Sequence, residues 1–593
     1  MKLVGMCNYG QCPGWEHLGI DTPDAASFPA HIKNVEPLDI AAILRLPAAH
    51  GENSNNNNNN ENNNKARINF KKSLRFITEI PVGIHKGRAI DAKMAEDEIQ
   101  RMLEVKQLEE TLYGDTRAYV NMFTVAEYVK KRRRVIKHTK AFNALYGRDT
   151  LVGIELINIL NLVKTVHDGT YSISFDFSAF FDQFEIAHKV RPYFCFPAHG
   201  RWYRLTRLPM GMRQSNDIAH SATECIVDFE MPKSVKVTSY VDNVRFIGTS
   251  LEEVIEAAAT FIVRCHKVRA TINDVSTTED LQTAKAIARD LVRTSEEFLG
   301  VEFDYINKKV AVGRKALAKL RLLLSRVEDP TLRITNQNVL AIFGILFFAL
   351  QVTKHMPAKR YYAIREYSEL SRRIQKDPNL LSAEFKCAPS RMRFITQWMS
   401  DVANVNDETK WLTVPQVPPP DLADFILVTD ASRWGWGAVL MNQFGRIRVA
   451  YGRWGDFGGG RRSAWSEPEA IARAMLHFFP KGTQYSIAVL TDSSTAQGAF
   501  EKGRSGKYIV NRSILSVQEA FLSWNVSFHH ISGVTNPADP VSRGKGLGSD
   551  QAVTAEIRRL VLGLTRKGGP DNEKRKQSAN VWENMSGNNS LLV

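Results

Sequence analysis

The sequence predicts a multi-domain chain that joins an α+β unit to an α/β unit, and three observations predict it. The chain has 593 residues, too many for one hydrophobic core, so about three or four domains are expected. Between residues 116 and 310, short β-rich runs alternate with helical ones. A proline run, PQVPPP at 415–420, then separates this body from a second α/β-like unit that opens with FILVTDA.

In chain order, residues 1–64 read as a leader containing the tract NSNNNNNNENNN at 53–64, which lacks apolar surface to bury and is expected to be disordered. Residues 65–310 form the first body, beginning with a mixed helical stretch carrying basic clusters. Residues 311–414 are mainly helical by periodicity and include NVLAIFGILFFALQV from Asn338, shorter than the ~20 residues of a bilayer span and so expected to be a buried helix. After the linker, residues 421–548 form the second body. Residues 549–593 are expected to be a disordered basic tail.

Composition is that of a globular protein, 44% hydrophobic and 24% charged, with a net charge of +15 that favours a polyanionic partner. The six cysteines follow no repeating spacing, which argues against a disulfide scaffold or zinc ribbon and for a reducing compartment. Cys7, Cys12, His17 and His31 fit no standard zinc pattern. The N-terminus has no signal-peptide pattern, so an intracellular location, cytoplasm or nucleus, is expected without a membrane partner.

Two groups of residues carry chemistry. In YSISFDFSAFFDQFEI, 171–186, alternating Ile173, Phe175 and Phe177 predict a strand with Asp176 near its end. In VTSYVDNVRFIG, 237–248, two alternating arms flank Asp242-Asn243, read as the tip of a tight hairpin. Acids so placed can converge on one sheet edge, as two-metal phosphoryl transfer requires. Further on, ILVTDASRWGWGAVL, 426–440, is a strand carrying Asp430, a turn and a returning strand. WSEPEAIARAMLHFF, 465–479, is an amphipathic helix start with Ser466 as its cap; VLTDSSTA, 489–496, is a strand ending in Asp492; and NPADPVSRG, 536–544, supplies Asp539.

With these motifs in this order, the chain resembles the reverse transcriptases of retrotransposons and pararetroviruses over residues 116–310, and the retroelement RNase H domain over 421–548. FDFSAFFDQF resembles the first palm motif, which implies Asp176 as a metal ligand and Phe181 as an aromatic gate against a 2′-OH. LPMGMRQSND, 208–217, resembles the LPxG motif, implying Met210 at the nucleotide pocket and Gly211 where backbone approaches the nascent base pair; Ser215 is read as a cap for the helix that follows. YVDN looks like the YxDD hairpin, and EFLGVEFD, 297–304, like the primer-grip turn. RRRVIKHTKAFN, 132–143, resembles the fingers motif, implying that Arg134 holds the triphosphate with Lys140 and Asn143 in support. The RNase H resemblance implies the quartet Asp430, Glu469, Asp492 and Asp539. Glu467 also begins an E-x-x-A string, but the family's E-x-E-x-x-A form places the ligand second and selects Glu469. The NPADxxSR ending and HTKAFN lean toward DIRS and VIPER-like tyrosine-recombinase elements over Gypsy-type ones.

The resemblance therefore implies a right-hand polymerase of fingers and palm (65–310) with a helical thumb and connection (311–414), joined to an RNase H-like domain. Its catalytic set would be Asp176, Asp242, Asn243, Asp430, Glu469, Asp492 and Asp539. Two Mg²⁺ ions per site, or Mn²⁺ in their place, would be held by all of these except Asn243. The partners would be an RNA template, a DNA primer, an RNA–DNA hybrid and dNTPs. Three departures stand out: Asn243 replaces a second hairpin acid, Val534 sits where many RNase H domains have a loop histidine, and Lys285 is poorly spaced for the lysine expected before the primer grip. Two alternatives follow, a degenerate or domesticated descendant that binds nucleic acid without polymerase activity, and an RNA-dependent RNA polymerase, which Phe181 and the second site disfavour.

Overall fold

The computed structural model describes residues 28–49, 60–83, 87–127, 131–139, 142–143, 152–329, 331–353, 356–404, 411–414, 416, 418–454, 463–479, 484–521 and 524–567. The chain divides into two compact units, up to Gly313 and from Arg314. Each mixes helices with sheets.

The first unit contains helices α1 (Ile40–Arg45), α2 (Asn60–Thr78) and α3 (Glu96–Glu104), then strands β1 (Leu108–Thr111), β2 (Asn121–Glu127), β3 (Arg132–His138), β4 (Tyr171–Asp176), β5 (Cys195–Ala198) and β6 (Arg201–Leu205). It continues through α4 (Ser215–Val227), β7 (Val235–Tyr240), β8 (Asn243–Gly248), α5 (Leu251–Lys267), α6 (Leu281–Leu291), β9 (Ser295–Phe298), β10 (Val301–Asp304) and β11 (Lys309–Val312). Strands β4, β8 and β7 form an antiparallel sheet with β8 in the middle. Its alternating apolar residues meet α5 on one face, where the Phe175, Phe246 and Phe261 rings lie 4.9–6.2 Å apart.

Helix α2 begins inside the asparagine tract. Phe70, Leu74 and Ile77 recur at helical spacing and are buried, with α2 packed on α4. A helix nucleated by that stripe propagates back to Asn60 at little cost per residue, so the expectation of disorder over 53–64 is corrected for 60–64; residues 53–59 lie outside the described residues. Beside the β4–β8–β7 sheet, β9 and β10 are fastened by Arg245 of β8. Its guanidinium is fully buried over Phe298 (4.6 Å) and Phe303 (4.7 Å) and donates to Tyr305 Oη at 3.0 Å.

The second unit opens with helices α7 (Arg314–Glu328), α8 (Asn336–Thr353), α9 (Tyr361–Lys376) and α10 (Pro389–Ala403). Helix α8 is long and apolar enough to cross a membrane by composition, with mean hydropathy 1.4, yet 61% of it is buried. Phe343 and Phe347 pack on the rings of Tyr367 and Trp398, which marks it as a core helix.

Strands β12 (Phe425–Ala431), β13 (Gly435–Asn442) and β14 (Ile447–Arg453) are followed by α11 (Ser463–Phe478), β15 (Ser486–Thr491), α12 (Ser494–Glu501), α13 (Tyr508–Ala520), β16 (Asn525–His530), α14 (Asp539–Ser542) and α15 (Asp550–Lys567). The sheet order is β14-β13-β12-β15-β16, antiparallel up to β12 and parallel from β12 to β16. Leu427 faces a core shared with α11 and α13, while Ile426 and Val428 face one shared with α15. Burial on both faces explains the unbroken apolar run FILV.

Helix α15 corrects the expected disordered tail over 550–567. Val553, Ile557 and Val561 form an apolar stripe that seals the second face of the sheet. The last residues, from 568, lie outside the described residues.

Candidate catalytic carboxylate sites

The first site forms where β4 ends. Asp176, the last residue of β4, stands opposite Asn243, the first residue of β8, and Asn243 also pairs with Tyr240 of β7. The two turn residues are therefore Val241 and Asp242, not Asp242 and Asn243. Val241 has φ +55°, costly for a β-branched residue. Helix α4 holds it there: Val241 N donates to His220 Nδ1 at 3.3 Å, and Thr223 Oγ1 donates to Val241 O at 2.6 Å.

Asp242 is pushed up to about 6 by burial and by the charge of Asp176; the Asn243 amide, donating to its Oδ1 at 2.9 Å, and Arg134 pull the other way. Asn273 holds Asp176 from outside the sheet, donating to Oδ2 through Nδ2 at 2.8 Å and to the Asp176 carbonyl through its backbone N–H at 2.8 Å. It lies in an irregular stretch, ATIND, where no periodicity singles it out.

Arg134, on β3, is within electrostatic reach of Asp242 and pairs with Glu127 at 2.8 Å. Lys140 lies outside the described residues. Asn143 ties the segment after β3 to the 208–213 turn, donating to Gly211 O at 2.9 Å and accepting from Arg213 N at 2.8 Å. A side chain on Gly211 would collide with the Lys137 carbonyl, so here the glycine serves contact with β3. Phe181 is buried at 8% exposure, and Met210 packs against the same core. Ser215 does not cap α4; its hydroxyl donates back to Pro209 O at 2.7 Å. Lys285 pairs with Glu256 at 2.7 Å, between α6 and α5.

The second site is built by a parallel register. Thr429 of β12 pairs with Thr491 of β15, so the next residues, Asp430 and Asp492, emerge side by side. Asp430 is buried, accepts from Ser542 Oγ at 2.5 Å, and has Asn536 Nδ2 at 3.5 Å. Gly437 of β13 pairs directly with Asp430, and a side chain there would strike the backbone of Ser542.

The third acid is Glu467, not Glu469. Asp430, Glu467 and Asp492 each offer an oxygen, all within 4.8 Å of one another. Glu469 turns away to Arg473 Nε (2.9 Å) and Ser513 Oγ (2.7 Å). Residues two apart on a helix differ by about 200°, so only one of the pair can face the sheet. Glu467 lies in phase with buried Ala470, Ile471, Ala474 and Met475, whereas Glu469 does not. That stripe is visible in the sequence and would have selected Glu467. Ser466, the expected cap, lies within the helix, which starts at Ser463 and carries Pro468 inside it.

Asp539 opens α14 and pairs with Arg543 at 2.7 Å; its charge is felt at Asp430, but it stands outside the close triad. Val534 is 97% exposed, and His530 Nε2 meets the Asp492 carbonyl at 3.0 Å.

Burial, with the charges of Asp430 and Asp492, pushes Glu467 up to about 9; burial and the neighbouring acids push Asp430 up to about 6, against the Ser542 hydrogen bond. Glu467 Oε2 is buried with no hydrogen-bond partner. Crowded buried carboxylates with an orphaned oxygen are the donor set a hard divalent cation satisfies, and the residues fit one.

No protein-family model matches the chain, and no curated protein matches it. Among solved structures, the chain is similar to the foamy viral protease–reverse transcriptase dRH in complex with double-stranded DNA, at 14% identity and a TM-score of 0.44, covering 86% of this chain and 85% of that one. It is similar also to the foamy viral protease–reverse transcriptase in complex with double-stranded DNA, at 14% identity and a TM-score of 0.42, covering 85% of this chain and 99% of that one. The same protein in complex with an RNA/DNA hybrid gives 14% identity and a TM-score of 0.41, with 86% of this chain and 65% of that one covered.

Proposed function

We propose that the chain is a retroelement RNA-directed DNA polymerase with ribonuclease activity on the RNA strand of an RNA–DNA hybrid. The observation that carries the reading is the presence of two acidic sites in one chain, the second with three ligand oxygens within 4.8 Å around an orphaned Glu467 oxygen. Motif order supports it, from RRRVIKHTKAFN through FDFSAFFDQF, LPMG and YVDN to TDAS, TDSS and NPAD.

In this reading Asp176 and Asp242, with the Asn243 carbonyl oxygen, would hold metal at the polymerase site; Asp430, Glu467 and Asp492 would hold it at the nuclease site, with Asp539 beside them. Bound Mg²⁺ or Mn²⁺, two ions per site, supplies nucleophile activation and charge neutralisation in phosphoryl transfer. Arg134, paired with Glu127 and acting electrostatically on Asp242, binds the triphosphate of an incoming dNTP, with Lys140 in support. Phe181 and Met210 shape the pocket floor, and Gly211 keeps the adjoining turn tight against β3. Residues 65–310 act as fingers and palm, 311–414 as thumb and connection, and 421–548 as the RNase H-like domain. Template RNA, primer DNA and their hybrid are the partners, in an intracellular setting; the net charge of +15 suits them.

Asn243 favours a second reading, a descendant that binds nucleic acid without polymerising, since the site has one negative charge fewer. One assay separates the two. The full chain is offered an RNA template, a DNA primer, dNTPs or rNTPs, and Mg²⁺ or Mn²⁺, beside Asp176→Asn and Asp430→Asn. Extension with dNTPs that Asp176→Asn abolishes is expected, together with hybrid cleavage that Asp430→Asn abolishes. Wild type without extension sinks the polymerase; cleavage that survives Asp430→Asn sinks the nuclease assignment.

A further inference from the structure

Residues 29–39 run as an extended strap whose place is set by backbone pairing at both ends. Arg133 N donates to Pro29 O at 2.8 Å and His31 N to Arg133 O at 2.6 Å, which lays the strap along β3, next to Arg134. At the other end Leu38 N donates to Gln183 O at 2.8 Å and Asp39 N to Val268 O at 3.0 Å. Between these points Ile32, Val35 and Leu38 are buried, and Gln107 Nε2 donates to the Lys33 carbonyl at 3.0 Å. From this anchored backbone the Lys33 side chain reaches toward the end of β4. Its ammonium donates to Asn273 Oδ1 at 2.6 Å and to Ser178 Oγ at 3.0 Å.

An ammonium only donates, so the Asn273 amide must present its oxygen to Lys33 and its nitrogen to the opposite side. That nitrogen is the group that donates to Asp176 Oδ2 at 2.8 Å. Gln183 braces the floor of the relay, donating to Ser178 O at 2.7 Å and Thr271 O at 2.9 Å and accepting from Thr271 N at 3.0 Å.

We infer that Lys33 is a positioning residue of the Asp176 site: through Asn273 it fixes the rotation of the Asp176 carboxylate, so that the strap at 29–39 is a working part of that site. Lys33 lies 240 residues from Asn273 in sequence, and no motif connects them. A charge-assisted donor behind a donor orients a carboxylate more firmly than a lone amide does. The inference rests on the reading of Asp176 as a metal ligand.

The test is a Mn²⁺ titration followed by electron paramagnetic resonance, on the full chain carrying Asp430→Asn and Glu467→Gln to silence the second site. Lys33→Met is expected to weaken binding about tenfold, the scale for losing a partner behind a metal ligand. Lys33→Arg, which also only donates, is expected to restore binding. Asn273→Ala should give the same loss as Lys33→Met, and the double variant no further loss, since both act through one path. Wild-type binding in Lys33→Met, or losses that add in the double variant, would overturn the inference while leaving Asp176 a ligand. Binding unaffected by Asp176→Asn would overturn the inference and the reading of the site together. Should Lys33→Met fail to fold, Asn273→Ala keeps every residue of the strap, and normal Mn²⁺ binding by it overturns the relay.

Discussion

Asn243 stands directly opposite Asp176 in the β4–β8 ladder and at the same time donates its amide to Asp242 Oδ1 at 2.9 Å. One residue thus pairs with Asp176 through the backbone ladder and, through its side chain, relieves part of the upward push on Asp242. Asn243→Asp should remove that relief and add a charge. The expected results are Mn²⁺ binding roughly tenfold tighter at pH 8, because ligand charge sets affinity, and an acidic limb of primer extension shifted upward, because Asp242 would rise beyond about 6. A Mn²⁺ titration and a pH–rate profile read both, and an unchanged profile would count against the relief.

Glu467 and Glu469 give opposite expectations. Glu467→Gln removes a carboxylate from the triad and should lower single-turnover hybrid cleavage by roughly a hundredfold or more. Glu469→Gln weakens the Arg473 and Ser513 contacts. It should cost about 1 kcal/mol of stability and leave cleavage nearly intact. If the two variants behave alike, the helix phase is wrong.

Glu467 also makes the metal-free protein sensitive to pH. Its folded value of about 9 exceeds its ordinary 4.5, so folding favours the protonated form. The stability it contributes is complete below pH 4.5 and is lost as pH rises through 9. Asp430 acts in the same direction between 3.8 and about 6. In thermal melts without metal, Glu467→Gln should therefore flatten the decline from pH 5 to pH 9, and added Mg²⁺ should raise the wild-type midpoint most at high pH. Calorimetry at pH 7 in two buffers should show about one proton released per Mg²⁺ event, since Glu467 must ionise to bind.

Arg134 is held by Glu127 at 2.8 Å, at side-chain exposures of 23% and 22%. A pair that is still partly open to solvent is worth about 1 kcal/mol, so a triphosphate would compete with Glu127 for the guanidinium. Glu127→Gln should lower the KM for dNTP about twofold, whereas Arg134→Ala should raise it at least roughly tenfold. Steady-state primer extension with varied dNTP measures both, and a rise in KM for Glu127→Gln would contradict the handover.

By itself the sequence determined the strands that lead to Asp176, Asp430 and Asp492, because alternation and apolar runs are local signals. It determined the apolar character of α8 for the same reason, whereas the compact units divide at Gly313 and Arg314 and not at the proline run. Helix α15 was legible too, in Val553, Ile557 and Val561, but its charged neighbours outweighed the stripe.

Tertiary structure decided what those elements meet. The parallel β12–β15 register sets Asp430 beside Asp492, and the phase of α11 against the sheet turns Glu467 inward and Glu469 outward. The strap that carries Lys33 to Asn273, and the α4 groups that hold Val241 at φ +55°, join residues with no periodic relation. Local patterning fixes which face a residue occupies; which other face it touches depends on packing between distant segments, and there the chain leaves no local mark.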